Sequence, residues 1–298
     1  MSGAGAEPGR SPVLPEGAAC GLAFSFDVDA ESPLLDADPG SAADASAMSH
    51  QAFGPRVGVP RILRMLGEEG VSATFFVPGW TARRWPGAVE AILAAGHEVG
   101  HHSDLHRSPV HLSEDQRRAD FERALATLAG LGVTPRGHRA AYWQATWLDL
   151  ELVAEHGLTY DSSLMDDDRP YLLELGAGTV AELPPHFSLD DWEQYAMIIE
   201  PDIGSNIEPP SKLIELWCAE IDAQRRHGGL VVCTAHPFLS GRASRVEALR
   251  AVIDHARRAG DVWIGRLDEI AARAHAASLP TRRPDPVDPE DPELGPYA

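Results

Sequence analysis

The sequence predicts an α/β fold, a closed or nearly closed (β/α) barrel of about seven strands. Three observations predict it. Short apolar runs alternate with helical patterns along most of the chain, which indicates a parallel sheet with crossovers. No repeat or interdomain linker divides the pattern. The polar residues with chemical potential sit where predicted strands end, the working rim of such a barrel.

The elements follow in order. CGLAFSFDV (20–28) reads as a strand and RVGVPRILRMLGEEG (56–70) as a helix stopped by Gly70. VSATFFVPG (71–79) is strand, TARRWPGAVEAILAAG (81–96) helix, and HEVGHH (97–102) a short strand. SEDQRRADFERALATLAGLG (113–132) is a helix capped by Ser113, with Asp115 and Gln116 behind the cap. TPRGHRAAY (134–142) and GLTYDSS (157–163) are strands flanking the helix at 145–157. GTVAELPP (178–185) and MIIEP (197–201) follow among irregular loops. The last elements are helix 211–228, strand GLVVCTAHP (229–237), helix 244–260 and strand DVWIG (261–265). The stretch 32–50 carries no pattern and is expected to act as a lid, because it directly follows Asp29 and Glu31.

The domain expectation is therefore a flexible arm over 1–19, one catalytic barrel over 20–275 and a tail over 276–298. Six prolines interleaved with acidic residues between Pro280 and Ala298 keep that tail from forming a helix or central strand.

Composition narrows the function. The 298 residues are 44% hydrophobic, enough for a large core, so a wholly disordered chain is excluded. The net charge of -20 repels phosphate backbones and anionic membranes, so neither nucleic acid nor membrane is an expected partner. Cys20, Cys218 and Cys233 are too few for a disulfide framework and read as thiols. The N-terminus lacks a basic segment followed by an apolar one, and the expectation is a soluble, cytoplasmic protein.

Four clusters carry chemistry. Asp27-Val28-Asp29 ends the first strand with both carboxylates on one face, where they repel unless a cation or proton joins them. An Asp-rich surface turn is the alternative. In GHEVGHHSDLHRSP (96–109), His102 and His106 lie one turn apart if Ser103 starts a helical turn, a spacing that lets both imidazoles reach one metal. His97 and His101 read as packing or supporting groups. Arg139 can hold a carboxylate, and Tyr142 and Trp143 can line a pocket. His236 ends an apolar strand, placed to titrate near neutrality and donate a proton.

In order, FDVDAE (26–31), ATFFVPG (73–79), GHEVGHHSDLH (96–106), RAAYW (139–143), YDSSLMDDDRPY (160–171), LDDW (189–192) and HPFLSGRASR (236–245) resemble the polysaccharide deacetylase superfamily, the carbohydrate esterase type with a NodB-like domain. The resemblance is narrower to a cytoplasmic branch of cyclic imide hydrolases, allantoinase-like proteins and Helicobacter-type peptidoglycan deacetylase homologues. It implies a distorted seven-stranded barrel and one divalent metal ion, zinc, on Asp29, His102 and His106. It implies Asp27 as base, His236 as acid, Arg139 as the residue positioning the base, and Asp191 (or Asp190) orienting the acid. Glu31, Arg56, Tyr142, Trp143, Asp161, Trp192 and Arg242 are expected in the pocket or its scaffold. The chain departs from the family in having Ala141 where proline is usual, and in DxD where secreted sugar deacetylases carry adjacent aspartates. The implied function is hydrolysis of a non-peptide C–N bond in a small cyclic imide, ureide or N-acyl amine, by metal-activated water. The alternatives are N-deacetylation of an N-acetyl sugar or peptidoglycan, and a silent binding or assembly protein. A small-molecule partner and a homo-oligomer, commonly a tetramer, are expected with it.

Overall fold

The computed structural model describes residues 11–198, 203–205, 207–277, 279 and 281–287. The strands are β1 (Cys20–Asp27), β2 (Thr74–Val77), β3 (Glu98–His101), β4 (Gly137–His138), β5 (Tyr160–Asp161), β6 (Tyr171–Leu175), β7 (Gly178–Glu182), β8 (Met197–Ile198), β9 (Ile203–Ser205), β10 (Leu230–Ala235), β11 (Val262–Ile264) and β12 (Thr281–Arg282). Seven of them run parallel in the order β10–β1–β2–β3–β4–β5–β7. The segment leaving β7 touches β10 through one parallel bridge, Asp190 to Thr234, and that seam closes the circuit. The α/β barrel expected from the sequence is thus the architecture, distorted at a single seam.

Strand periodicity sorts residues between two cores. Leu22, Phe24 and Phe26 of β1, with Val231, Cys233 and Ala235 of β10, pack outward with Ile62, Trp217 and Val252 of the surrounding helices. The alternate residues Ala23, Phe76, Tyr160, Ala181, Leu230 and Val232 fill the barrel. Two glycines make that filling possible. A Cβ on Gly137 would strike the Tyr160 ring, and one on Gly100 the Phe76 ring. The helix Leu267–Ala276 closes the far end through Leu267, Ile270, Ala271 and Ala274. It is docked by Leu267 N–H on Thr74 Oγ1 (3.1 Å) and Asp268 N–H on Glu98 (3.2 Å).

Several sequence expectations change. β6, an antiparallel hairpin partner of β7, and the helix Leu267–Ala276 were not expected. The 32–50 stretch, patternless in the sequence, is largely helical. It forms helix Ser32–Ala37, a 3-10 turn Pro39–Ala43 and most of helix Ala45–Phe53. From Ser11 on, the expected arm is packed: Val13 and Leu14 are buried, and Ala19 N–H donates to Asp261 O at 2.7 Å. The start of the expected tail is tied down as well. Helix Leu267–Ala276 extends into it, and β12 pairs with β6. Residues 1–10 and 288–298, and the end of the strand expected at 197–201, lie outside the described residues. Cys20, Cys218 and Cys233 are all free thiols. Among the described residues, no helix is long and apolar enough to cross a membrane.

Candidate metal and hydrolytic site

In four of the seven parallel strands, the inward face continues past the strand end into a candidate site side chain. Ala23 and Ser25 lead to Asp27, Gly100 to His102, Gly137 to Arg139, and Val232 and Thr234 to His236. The barrel's alternation therefore aims these groups at one point above its core.

Asp29 is the centre. Its Oδ1 lies 3.4 Å from His102 Nε2, and its Oδ2 3.5 Å from His106 Nε2 and 3.6 Å from His236 Nε2. The first two separations are close to the roughly 3.4 Å expected between donors each about 2.1 Å from one ion. Both Asp29 oxygens and His102 Nε2 are buried without a hydrogen-bond partner. Such a carboxylate is costly to bury unless a cation meets it. His102 Nδ1–H donates to Arg139 O at 2.7 Å, which fixes the tautomer and leaves the Nε2 lone pair facing Asp29. Burial pushes His106 down to about 4, so its imidazole is neutral at pH 7. Burial also opposes charge on Asp29 and His102, but it is outweighed. His106, His102 and His236 hold Asp29 low, while Asp27 and Asp29 hold His102 high. A metal here must displace that proton. Asp29, His102 and His106 fit a divalent ion.

The helical turn expected for His102–His106 is absent. Residues 102–108 form no helix, and Ser103 and His106 adopt left-handed backbone with φ of 58° each. The two imidazoles converge because the loop folds back on itself. All five non-glycine residues with positive φ among the described residues fall in the loops around this site: Ala30, Ser103, His106, Tyr142 and Trp143. Backbone strain of this kind concentrates where function over-determines geometry.

Arg139 is fully buried. It donates to Asp27 Oδ1 at 2.8 Å, to Ser25 Oγ at 2.9 Å and to Ser162 Oγ at 3.1 Å, and its guanidinium lies over the Phe76 ring. One Asp27 oxygen is thereby held, and the other lies 3.9 Å from His102 Nε2.

Opposite, His236 Nδ1 donates to Asp191 Oδ1 at 2.7 Å. Asp191 is fully buried, accepts the His236 backbone N–H at 3.0 Å and takes a hydrogen bond from Ser240 Oγ. The structure thus selects Asp191 over Asp190 as the hydrogen-bond partner, with Asp190 3.5 Å from the same ring nitrogen. Burial opposes the imidazolium, yet Asp190, Asp191 and Asp29 raise His236 to about 10. Burial pushes Asp190 up to about 7.

A cavity of about 170 Å³ opens over this cluster, lined by Asp27, Asp29, His106, His236, Ala140, Tyr142, Trp143 and Trp192. The sequence did not single out Phe187 and Glu193, which complete its wall on a loop without periodic signal. Four expected pocket residues lie elsewhere. Glu31 points away, accepting from Trp85 Nε1 at 2.7 Å, and with Arg56 it lines a separate cavity. Arg242 stacks on Phe53 beside another cavity. Asp161 is fully buried beside Glu182 on the neighbouring strand. Burial raises both carboxyls, Asp161 to about 7 and Glu182 well above its usual range. Asp161 is scaffold: it takes Ser163 Oγ–H at 3.1 Å while that oxygen accepts Ala140 N–H at 2.9 Å. This bond braces the 140–143 loop, in which Ala140 already holds φ -70° and ψ 141°.

His101 and His138 form a buried pair behind the site, Nδ1 to Nδ1 at 2.8 Å, with His101 Nε2–H donating to Phe121 O. His97 Nδ1 accepts Ala73 N–H at 3.2 Å. Both expected supporting histidines are therefore scaffold.

Comparison with known proteins agrees with this fold. The polysaccharide deacetylase family model matches residues 53–160. A crystal structure from Mycobacterium smegmatis, assigned as a polysaccharide deacetylase, is 47% identical with a TM-score of 0.90, covering 92% of this chain and 96% of that one. The peptidoglycan deacetylase of Helicobacter pylori is 25% identical over 277 residues, 84% of this chain and 94% of its own. The Puue allantoinase structure shares the fold, with 23% identity and a TM-score of 0.78 over 93% of this chain and 99% of that one. With a solved relative nearly half identical along almost its whole length, this chain belongs to the polysaccharide deacetylase family.

Proposed function

We propose that this protein is a zinc-dependent hydrolase of a non-peptide amide bond in a small substrate: a cyclic imide, a ureide or an N-acyl amine. The observation that carries the reading is the opposition of two prepared groups across one cavity, Asp27 held by Arg139 and His236 held by Asp191. Zinc chemistry at Asp29, His102 and His106 contributes Lewis acidity and a lowered pKa for water. Asp27, with one oxygen tied to Arg139, takes the proton of the attacking water on its other oxygen. His236, protonated at neutral pH, gives its Nε2 proton to the departing nitrogen, which is a poor leaving group without it. The Tyr142 backbone N–H is the donor assigned to the oxyanion, in a loop that Ser163 braces without the usual proline. The modest cavity and its aromatic walls support a small substrate. A cytoplasmic location and a homo-oligomer belong to the same reading, by resemblance to that branch.

The Helicobacter pylori relative favours a second reading, deacetylation of an N-acetyl sugar or peptidoglycan. The test is hydrolysis by zinc-loaded protein of succinimide, hydantoin, allantoin, N-acetyl alkylamines and N-acetylglucosamine oligomers, each with a chelated control. Chelator-sensitive turnover of a small amide is expected. Turnover of the oligomers alone would install the second reading. Silence across the set would overturn both.

A further inference from the structure

His236 stands at the head of a tight turn. The short helix Pro237–Ser240 follows it directly, and the His236 carbonyl accepts Leu239 N–H at 2.8 Å and Ser240 N–H at 2.9 Å. The imidazole and Ser240 Oγ both bond to Asp191 from this one turn. Asp191 is anchored to β10 instead, its backbone N–H on Thr234 O at 3.0 Å. A shift of the turn would therefore move His236 against its partner and against Asp29.

Behind the turn lies a widened stretch of helix. The backbone stays helical from Ala45 to Glu69, but it widens between Pro55 and Pro60. Neither proline has the N–H that a regular α-turn needs, and Val59 N–H reaches back five residues to Gly54 O. Wide turns of this kind occur mostly as single insertions in α-helices, often beside functional sites. This one, Gly54–Gly58, meets the His236 turn with its glycines. A Cβ on Gly58 would strike the Pro237 carbonyl, and one on Gly54 would come within 3.2 Å of Phe238 N. From the other side, a Cβ on Gly241 would strike both the Pro237 carbonyl and Gly58 Cα. These are backbone contacts, which cannot swing aside as the end of a side chain can. Two ties hold the seat together: Arg61 donates to Gly241 O at 2.7 Å, and Arg242 stacks on Phe53, the residue before the wide turn.

We infer that Gly58, with Gly54 beside it, is a positioning residue for the proton donor: the wide turn directs the His236 imidazole by seating the Pro237 backbone on a surface without side chains. What His236 then does rests on the amide-hydrolase reading. Asp29, His102 and His106 lie on neither segment, so the seat acts apart from the metal ligands.

The experiment compares Gly58→Ala, Gly54→Ala and Gly67→Ala in the full-length protein. Gly67 lies on the helix that follows, where a Cβ meets nothing within 4 Å. With zinc-loaded protein and N-butylacetamide, Gly58→Ala should lower kcat about a hundredfold and move KM less than about twofold. Gly54→Ala should lower kcat about tenfold, and Gly67→Ala should leave it unchanged. p-Nitrophenyl acetate, whose leaving group departs without a proton, should lose less than about threefold in every variant. Zinc affinity by competition titration should be the same in all three. An unchanged kcat in Gly58→Ala, an equal loss on both substrates, or a parallel loss of zinc affinity overturns the positioning role. Should Gly58→Ala fail to fold, Gly54→Ala carries the same test. If the native protein turns over neither compound, the hydrolase reading fails for them, and a signal that needs no substrate decides the inference. That signal is the proton resonance of His236 Nδ1–H in its bond to Asp191, in metal-free protein. Gly58→Ala should shift or broaden it while Gly67→Ala leaves it in place; an identical resonance in both overturns the inference.

Discussion

Replacing Asp191 with asparagine tests the acid directly. The carboxylate accepts from the His236 imidazole at 2.7 Å, from the His236 backbone N–H at 3.0 Å and from Ser240 Oγ, with no exposure to solvent. Asparagine keeps the shape but removes the charge, and its NH2 must face one of three donors. Each charge-assisted bond contributes about 1.5–3 kcal/mol. Losing the one to the imidazole should bring the His236 titration down by about one to two pH units, at 1.36 kcal/mol each. Asp190, 3.5 Å away, keeps it above the ordinary range of histidine. In the native protein His236 is raised to about 10, so its contribution to folding is complete below 6.5 and fades as pH rises through 10. Histidine side-chain NMR on the metal-free protein reads the titration without any substrate. A native His236 titrating near 6.5, or one unmoved in Asp191→Asn, would refute the reasoning.

Three further outcomes follow from the same geometry. His102→Ala or His106→Ala should weaken zinc binding at least about a hundredfold by competition titration, and retained affinity in either would remove that residue from the ligand set. Zinc at a hundred times its Kd should stabilise the native protein by about 2.7 kcal/mol, read as a rise in Tm that a chelator reverses; an unchanged Tm would deny coupling between metal and fold. Arg139→Met leaves the Asp27 carboxylate buried without its guanidinium and should cost about 3–5 kcal/mol in urea unfolding. A loss under 1 kcal/mol would mean that Asp27 is relaxed by solvent instead.

The sequence made the chemistry legible where a functional residue continues a strand's alternation. Asp27, Arg139 and His236 each lie two positions beyond a buried inward residue, and the strand pattern carried them to the rim. Direction was lost where the chain leaves that alternation. Glu31 lies two residues past Asp29, yet the turn at Ala30 sends it toward Trp85. His102 and His106 were legible as a pair, but two left-handed residues bring them together, and no helical spacing encodes that. Asp190 and Asp191 are indistinguishable in sequence, and only the bridge to Thr234 decides which carboxylate faces the imidazole. Phe187 and Glu193 sit on a loop without periodicity, so nothing marked them. The helix Leu267–Ala276 starts with only half of a capping box, Glu269 accepting the Arg266 N–H, a weaker signal than the Ser113 cap that identified its counterpart at 114–130.

The pairing of β1 with β10 joins residues some 208 positions apart. β1 thus waits for a strand made much later in synthesis before that edge is covered. The proposed metal donors are complete once His106 has emerged, yet the proposed proton donor and its carboxylate arrive more than 80 residues later. Contacts of such long range make folding slow and leave the growing chain open to misassociation. In return, no nascent or truncated piece ending before His236 can hold both halves of the proposed site.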